Sequence, residues 1–145
     1  HLNLNSGERI LQTLWIGSLW AIGFLAVPTL FGVLEDRQLA GMLAGKMFTS
    51  VSYVGLFCGT ILLFSAFRSS TRAAADKRIW ILFSMLCLVI AGEFILQPIM
   101  AELKLTGLAA GSAAALKFDK IHQIASSLYL VNSLLGLVMV IFDQR

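Results

Sequence analysis

Glu93 and Gln97 stand four residues apart inside a run, Ile79 to Met100, that carries no other charge. His122, Ser126, Tyr129 and Ser133 follow one another at spacings of four, three and four along a second apolar run, Ile121 to Phe142. Both spacings put the polar side chains on one face of a helix. A carboxyl, an amide and an imidazole brought together in an apolar medium could share a proton, relay one, or hold a cation. Lys46, at the head of a third run, enters from the same end and could pair with the carboxylate. Lys46, Glu93, Gln97 and His122, flanked by Ser126 and Tyr129, therefore form the candidate polar cluster. A second chemistry is metal binding. His122 with Met100, Met42 or Met47 would be a soft donor set suited to Cu(I), with no Met-x-x-Met, cysteine pair or histidine pair beside it. A bis-histidine haem lacks its second ligand, because only His122 lies within an apolar run and His1 is terminal. The expectation is no cofactor, with copper as the alternative.

The elements that must position these residues are long apolar runs. Ile10–Leu34 and Met47–Phe67 carry no charge, Ile79–Met100 carries Glu93, and Ile121–Phe142 carries His122. At about 1.5 Å per residue each run reaches across the roughly 30 Å hydrocarbon core of a bilayer. The runs do not alternate apolar and polar as barrel strands would, so helices are the spanning form. The prediction is one domain over residues 1–145: an all-α, up-down four-helix membrane bundle with spans near 10–34, 47–67, 79–100 and 121–142. Residues 35–46 read as a loop with an interfacial segment, 68–78 as a basic loop and 101–120 as a flexible third loop. Pro28 suggests a kink near the end of the first span. No convincing internal repeat stands out.

Composition agrees. Apolar residues make up 58% of the chain and charged residues 13%, where a soluble domain is nearer about a quarter charged. In that setting a net charge of +3 reads as lysine and arginine at lipid headgroups, and nucleic acid is not an expected partner. Arg9, Arg68, Arg72, Lys77, Arg78 and Arg145 fall on one side of a four-span topology, and Arg37, Lys46, Lys104, Lys117 and Lys120 on the other. The totals nearly balance, but the loop 68–78 is the densest basic cluster. Both termini and that loop are therefore placed in the cytoplasm, with Trp80 as an interfacial anchor on that side.

In lipid, helices associate through close packing of small residues. Gly41-x-x-x-Gly45 and Gly55-x-x-x-Gly59 have that spacing, and Gly17 with Ala21 repeats it on the first span. Cys58 and Cys87 lie at similar depth and read as small apolar residues. Glu93 is the costly one. A charge inside a membrane helix costs about 2.5–3.5 kcal/mol, so Glu93 must be protonated, paired with Lys46 or His122, or facing water. The plainer alternative is an interhelical hydrogen bond that fixes register, worth about 0.6 kcal/mol.

Several pieces together resemble a known family: Leu14-Trp15-Ile16-Gly17, Gly23-Phe24, Pro28-Thr29-Leu30-Phe31, Ala40-Gly41 with Phe48, Gln97-Pro98-Ile99-Met100, and His122 with Ser126-Ser127. The family is the bacterial domain of unknown function 4149, related to eukaryotic transmembrane protein 205 and, more distantly, similar to the membrane domain of copper-resistance protein D. The resemblance runs from about residue 8 to 142. It implies a four-helix protein of the bacterial inner membrane with unsettled biochemistry. Its eukaryotic relatives are linked to drug resistance and secretion, and the copper connection favours the metal reading.

Two functions follow. The first is an accessory subunit or self-associating bundle, packing against a membrane-protein partner or a second copy through its glycine faces. The alternative is transport or copper handling through a Glu93/His122 site. No catalytic set is evident, and an enzyme is not expected.

Overall fold

Asp36 and Asp76 each begin a helix by accepting from the first free backbone amides. Asp36 accepts from the amides of Gln38 and Leu39 at 3.0 and 3.2 Å, and Asp76 from that of Arg78 at 2.9 Å. Ser112 does the same for Ala115 at 3.1 Å. These caps satisfy donors that a helix start leaves unpaired. Gly107, at φ +91°, closes the preceding helix in a conformation that suits glycine. The computed structural model describes residues 6–142. It contains four long helices: α1 Ser6–Val33, α2 Arg37–Ser69, α3 Lys77–Thr106 and α4 Ala113–Phe142. His1 and the tail from Asp143, including Arg145 of the charge count, lie outside the described residues.

The helices run past the apolar runs at most ends. Residues 37–46, read as loop, form the opening turns of α2, and the third loop shrinks to 107–112. Charges stop an apolar run without stopping a helix. The helices of 28 to 33 residues reach about 42–50 Å, longer than the hydrocarbon core, so their charged ends stand in the headgroup region. The protein is a four-helix bundle of membrane-spanning helices.

Two of the helices contain a wide turn. In α1 the turn is Ile22–Ala26, where the Val27 amide donates to the Ile22 carbonyl. In α3 it is Ala91–Leu96, where the Gln97 amide donates to the Gly92 carbonyl. Each is followed by a proline, Pro28 or Pro98. Proline has no amide hydrogen and its ring crowds the carbonyl four residues back, which here belongs to Phe24 or Phe94. Widening the helix by one residue relieves that crowding.

The matching turns belong to a repeat. Buried Trp15, Ile16 and Leu19 of α1 correspond to buried Met85, Leu86 and Val89 of α3, each 70 residues later. In α2 and α4, Gly55, Gly59 and Leu62 correspond to buried Asn132, Gly136 and Met139, each 77 later. The contacts obey the same exchange. A Cβ on Gly59 would meet Trp15 and Leu86, and one on Gly136 would meet Met85 and Ile16. The two helix pairs, α1–α2 and α3–α4, are thus related by an approximate two-fold axis along the bundle.

Packing differs between the two ends. In the proximal half, which holds the start of α1 and the connection 70–76, all four helices pack around the ring α1–α2–α3–α4. Trp15, Leu62, Leu82 and Met85 there are fully buried. Beyond the wide turns α1 stays with α2 and α3 with α4. In that distal half Ala40, Ala44 and Met100 are the buried side chains among the described residues. The bundle is closed at one end and parted at the other.

Candidate intramembrane binding site

The cluster expected from sequence does not assemble around one point. Lys46 is exposed on α2, with its carbonyl accepting from Ser50. His122 and Ser126 are exposed on α4. His122 stacks on Phe118 at 6.0 Å between ring centroids, and the Lys104 ammonium lies 5.6 Å over the same ring. Glu93 and Gln97 are half-buried in and after the wide turn of α3, and no hydrogen bond or ion pair joins them to Lys46 or His122. Met100 is buried, Met42 exposed and Met47 half-buried. Among the described residues no three His, Cys, Asp or Glu side chains converge on one point. The cause lies in the parted half. Lys46 projects from the α1–α2 pair; within the α3–α4 pair Glu93 and Gln97 are half-buried while His122 and Ser126 are exposed, so equal depth does not bring them together.

The glycine readings divide as well. Gly55 and Gly59 are buried, and the Trp15 indole lies over both. A Cβ on Gly41 or Gly45 would meet nothing within 4 Å, so no helix of this chain packs there. Ala40 and Ala44 are the buried residues of that stretch, which turns the neighbouring glycines aside by about 100°. Cys58 is buried and Cys87 exposed, both as free thiols.

Of the polar face read on α4, Ser133 is fully buried with its hydroxyl on the Tyr129 carbonyl, and Tyr129 reaches across to α1. Its hydroxyl donates to the Leu19 carbonyl of α1. The ring fills the space over Gly23, where a Cβ would fall inside it. Phe48 meets Tyr129 edge-on at 5.0 Å, and Phe24 lies 6.2 Å away. Trp20 continues the cluster, and its indole donates to the Ser133 carbonyl at 3.2 Å. Tyr129 thus anchors α4 against the wide turn of α1.

Across the axis from this aromatic cluster lies a cavity of about 60 Å³, midway along the helices. The repeat explains it. Ser52 occupies the position equivalent to Tyr129, Ala125 the position equivalent to Phe48, and Gly92 the position equivalent to Ile22. Three large side chains on one side of the axis are matched by three small ones on the other. All three small residues line the cavity, with Leu19, Val51, Leu88, Val89, Leu128, Tyr129 and Asn132. Asn132 is 4% exposed and its Oδ1 has no hydrogen-bond partner. A buried amide oxygen without a partner costs about 1–3 kcal/mol, and buried polar groups are ordinarily paired. By volume the cavity admits a few water molecules.

A second polar group closes the proximal end. Arg78 lies 3.7 Å from the Glu8 carboxylate and donates to Gln12 Oε1 at 3.4 Å. Gln12 is buried. These residues tie the start of α1 to the start of α3 on the side of the bundle away from the cavity.

The sequence profile of a domain of unknown function, DUF4149, matches residues 10–109. The chain belongs to the DUF4149 family. No curated protein and no solved structure matches it. The DUF4149 match covers α1, α2 and α3, including both wide turns, and ends before α4. The polar side chains that α4 brings inside, Tyr129, Asn132 and Ser133, therefore lie outside the matched segment.

Asn132 and Gln12 escape the sequence reading of this DUF4149 chain. Each is an uncharged polar residue in an apolar stretch, and each lies off the face that begins at His122 or the pair Glu93–Gln97. The usable signal is the pair Phe24…Pro28 and Phe94…Pro98, two identical spacings 70 residues apart. It marks the two wide turns and hence the repeat.

Proposed function

We propose that this DUF4149 protein is a membrane-embedded binding protein, not an enzyme, and that it takes a small molecule into the recess between its parted helix pairs. One observation carries this reading: the buried Asn132 Oδ1, which has no hydrogen-bond partner, beside a cavity midway along the helices. Trp15 Nε1 in the closed half also lacks a partner, but at Asn132 the unpaired oxygen coincides with unfilled space, which a bundle selected for packing alone would fill because filling it would stabilise the fold. The closed proximal half, tied by Glu8, Gln12 and Arg78, makes the recess one-sided. With the basic loop 68–78 in the cytoplasm, the recess opens away from the cytoplasm in a bacterial inner membrane.

The test is thiol labelling in intact membranes on a Cys58→Ala, Cys87→Ser background. Ser52→Cys and Ala125→Cys should react with a membrane-impermeant maleimide added on the side of residues 107–112. Leu62→Cys in the closed half should stay unreactive. Labelling of Thr49→Cys near the mouth without labelling at positions 52 or 125 would refute the recess. It would leave the accessory reading, in which the bundle serves only to pack against another membrane protein.

A further inference from the structure

We infer that the cavity is a binding slot for a flat apolar ring carrying a hydroxyl donor, such as the phenol-type head of a lipid-soluble molecule. The inference rests on the binding reading above and adds the chemical class of the ligand. Its template is inside the protein. On the α1 side of the axis the equivalent space holds a phenol ring, that of Tyr129, with its hydroxyl on the Leu19 carbonyl and Phe48 against its edge. On the α3 side Ser52 and Ala125 stand in the places of Tyr129 and Phe48. What those replacements remove is an aromatic pair, and a ring is the shape now missing from the slot, while Ser52 keeps only a short hydroxyl side chain in its lining.

The lining matches such a ligand. Val51, Leu88, Val89 and Leu128 offer apolar surface to a ring. Polar recognition falls to Asn132, whose Oδ1 is a buried acceptor with nothing to accept from. A ligand hydroxyl would supply that donor. The enclosed volume of about 60 Å³ is well below the roughly 150 Å³ that encloses a whole benzene. The slot therefore holds the hydroxyl-bearing edge of the ring, and the remainder lies in the opening between the two helix pairs. A tail on the far side of the ring would pass outward between the parted helix pairs.

The experiment uses the full chain in nanodiscs and observes 4-fluorophenol by fluorine NMR, with 4-fluoroanisole as the matched probe lacking the donor. The phenol should give a saturable shift, and the anisole should bind about tenfold or more weakly because it leaves the buried acceptor unpaired. Ala125→Phe, which restores the Phe48 equivalent, should abolish saturable binding while the fold persists. Should Ala125→Phe not fold, Gly92→Ile, which restores the Ile22 equivalent, performs the same blockade. Asn132→Leu should erase the preference for phenol over anisole. Equal binding of the two probes, or phenol binding that survives both blocking substitutions, overturns the inference. Positions 52 and 125 that label with thiol reagent in a protein showing no saturable phenol binding overturn it too, and leave the binding reading intact.

Discussion

Substituting alanine for glycine in the two wide turns should give opposite results. At Gly23 the new methyl group falls inside the Tyr129 ring, and at Gly92 it meets nothing within 4 Å. Both sites are helical, so both gain the same intrinsic preference of alanine over glycine, up to about 1 kcal/mol. Forcing extra volume into a filled site costs about 1–3 kcal/mol. The propensity gain is common to both and cancels in the comparison. Gly23→Ala should therefore be less stable than Gly92→Ala by about 1–3 kcal/mol, roughly 5- to 150-fold in the unfolding constant, with tenfold for each 1.4 kcal/mol. Reversible unfolding in mixed detergent and dodecyl sulfate micelles, followed by helical circular dichroism, measures both. Tyr129→Ser, which copies the residue at position 52, should remove most of the penalty at Gly23. The cycle of Gly23→Ala with Tyr129→Ser would show that as a coupling energy. Equal costs at the two glycines, or additive effects in the cycle, would show that Tyr129 is not seated on α1. The argument that the cavity is the unfilled mate of that seat would fall with it.

Trp15→Ala should be among the most damaging single changes, at about 3–5 kcal/mol, because the indole is fully buried over Gly55 and Gly59; the same unfolding assay reads it. Gly41→Ala and Gly45→Ala should leave the stability of the bundle unchanged or slightly raised, since their Cβ positions are open; a large loss in either would show that these glycines pack inside the bundle. Asn132→Leu should stabilise the protein by about 1–3 kcal/mol by removing an unpaired buried amide oxygen, while weakening whatever the recess binds; a destabilised Asn132→Leu would mean that the oxygen has a partner. Glu8→Gln should destabilise the bundle, since the carboxylate lies 3.7 Å from Arg78 with both side chains only 16% exposed; an unchanged midpoint in dodecyl sulfate titrations would show that this carboxylate has no part in closing the proximal half.

Four helices were legible because four apolar runs of sufficient length leave a chain no other way to satisfy its backbone in lipid. Their ends were not, because Asp36, Asp76 and Gly107 set them through capping and backbone geometry while the runs stop at the nearest charge. Tyr129 was legible as part of a helical face. The assembly of that face was not, since helix periodicity says which residues share a side and nothing about which neighbour they meet. His122 and Ser126 lie on the same face as Tyr129 and are exposed, because the helix pairs have parted at their level. The repeat escaped because its equivalent positions conserve burial rather than identity. Trp15 faces Met85, and Gly55 faces Asn132. Gly59 with Gly136, Phe24 with Phe94 and Pro28 with Pro98 are the identities among the pairs named here, too few to stand out by eye in a chain of glycines and aliphatics.

The asymmetry within the repeat is what the proposed binding site rests on. An exactly two-fold bundle would fill both central spaces or leave both open. Two filled spaces would give a tight bundle with no site. Two open ones would leave the distal halves with little to hold them in place, because among the described residues Ala40, Ala44 and Met100 are the side chains buried there. This chain does one of each. Phe48 and Tyr129 hold α2 and α4 to the wide turn of α1, and Ser52, Ala125 and Gly92 leave the matching space beside α3. The filled space keeps the parted half in register, so the open one can keep its shape without a ligand. Glu93 falls at the position equivalent to Gly23, in the wide turn of α3 and next in sequence to Gly92 of the cavity lining, so the one charge of the four apolar runs sits where the two halves of the repeat differ.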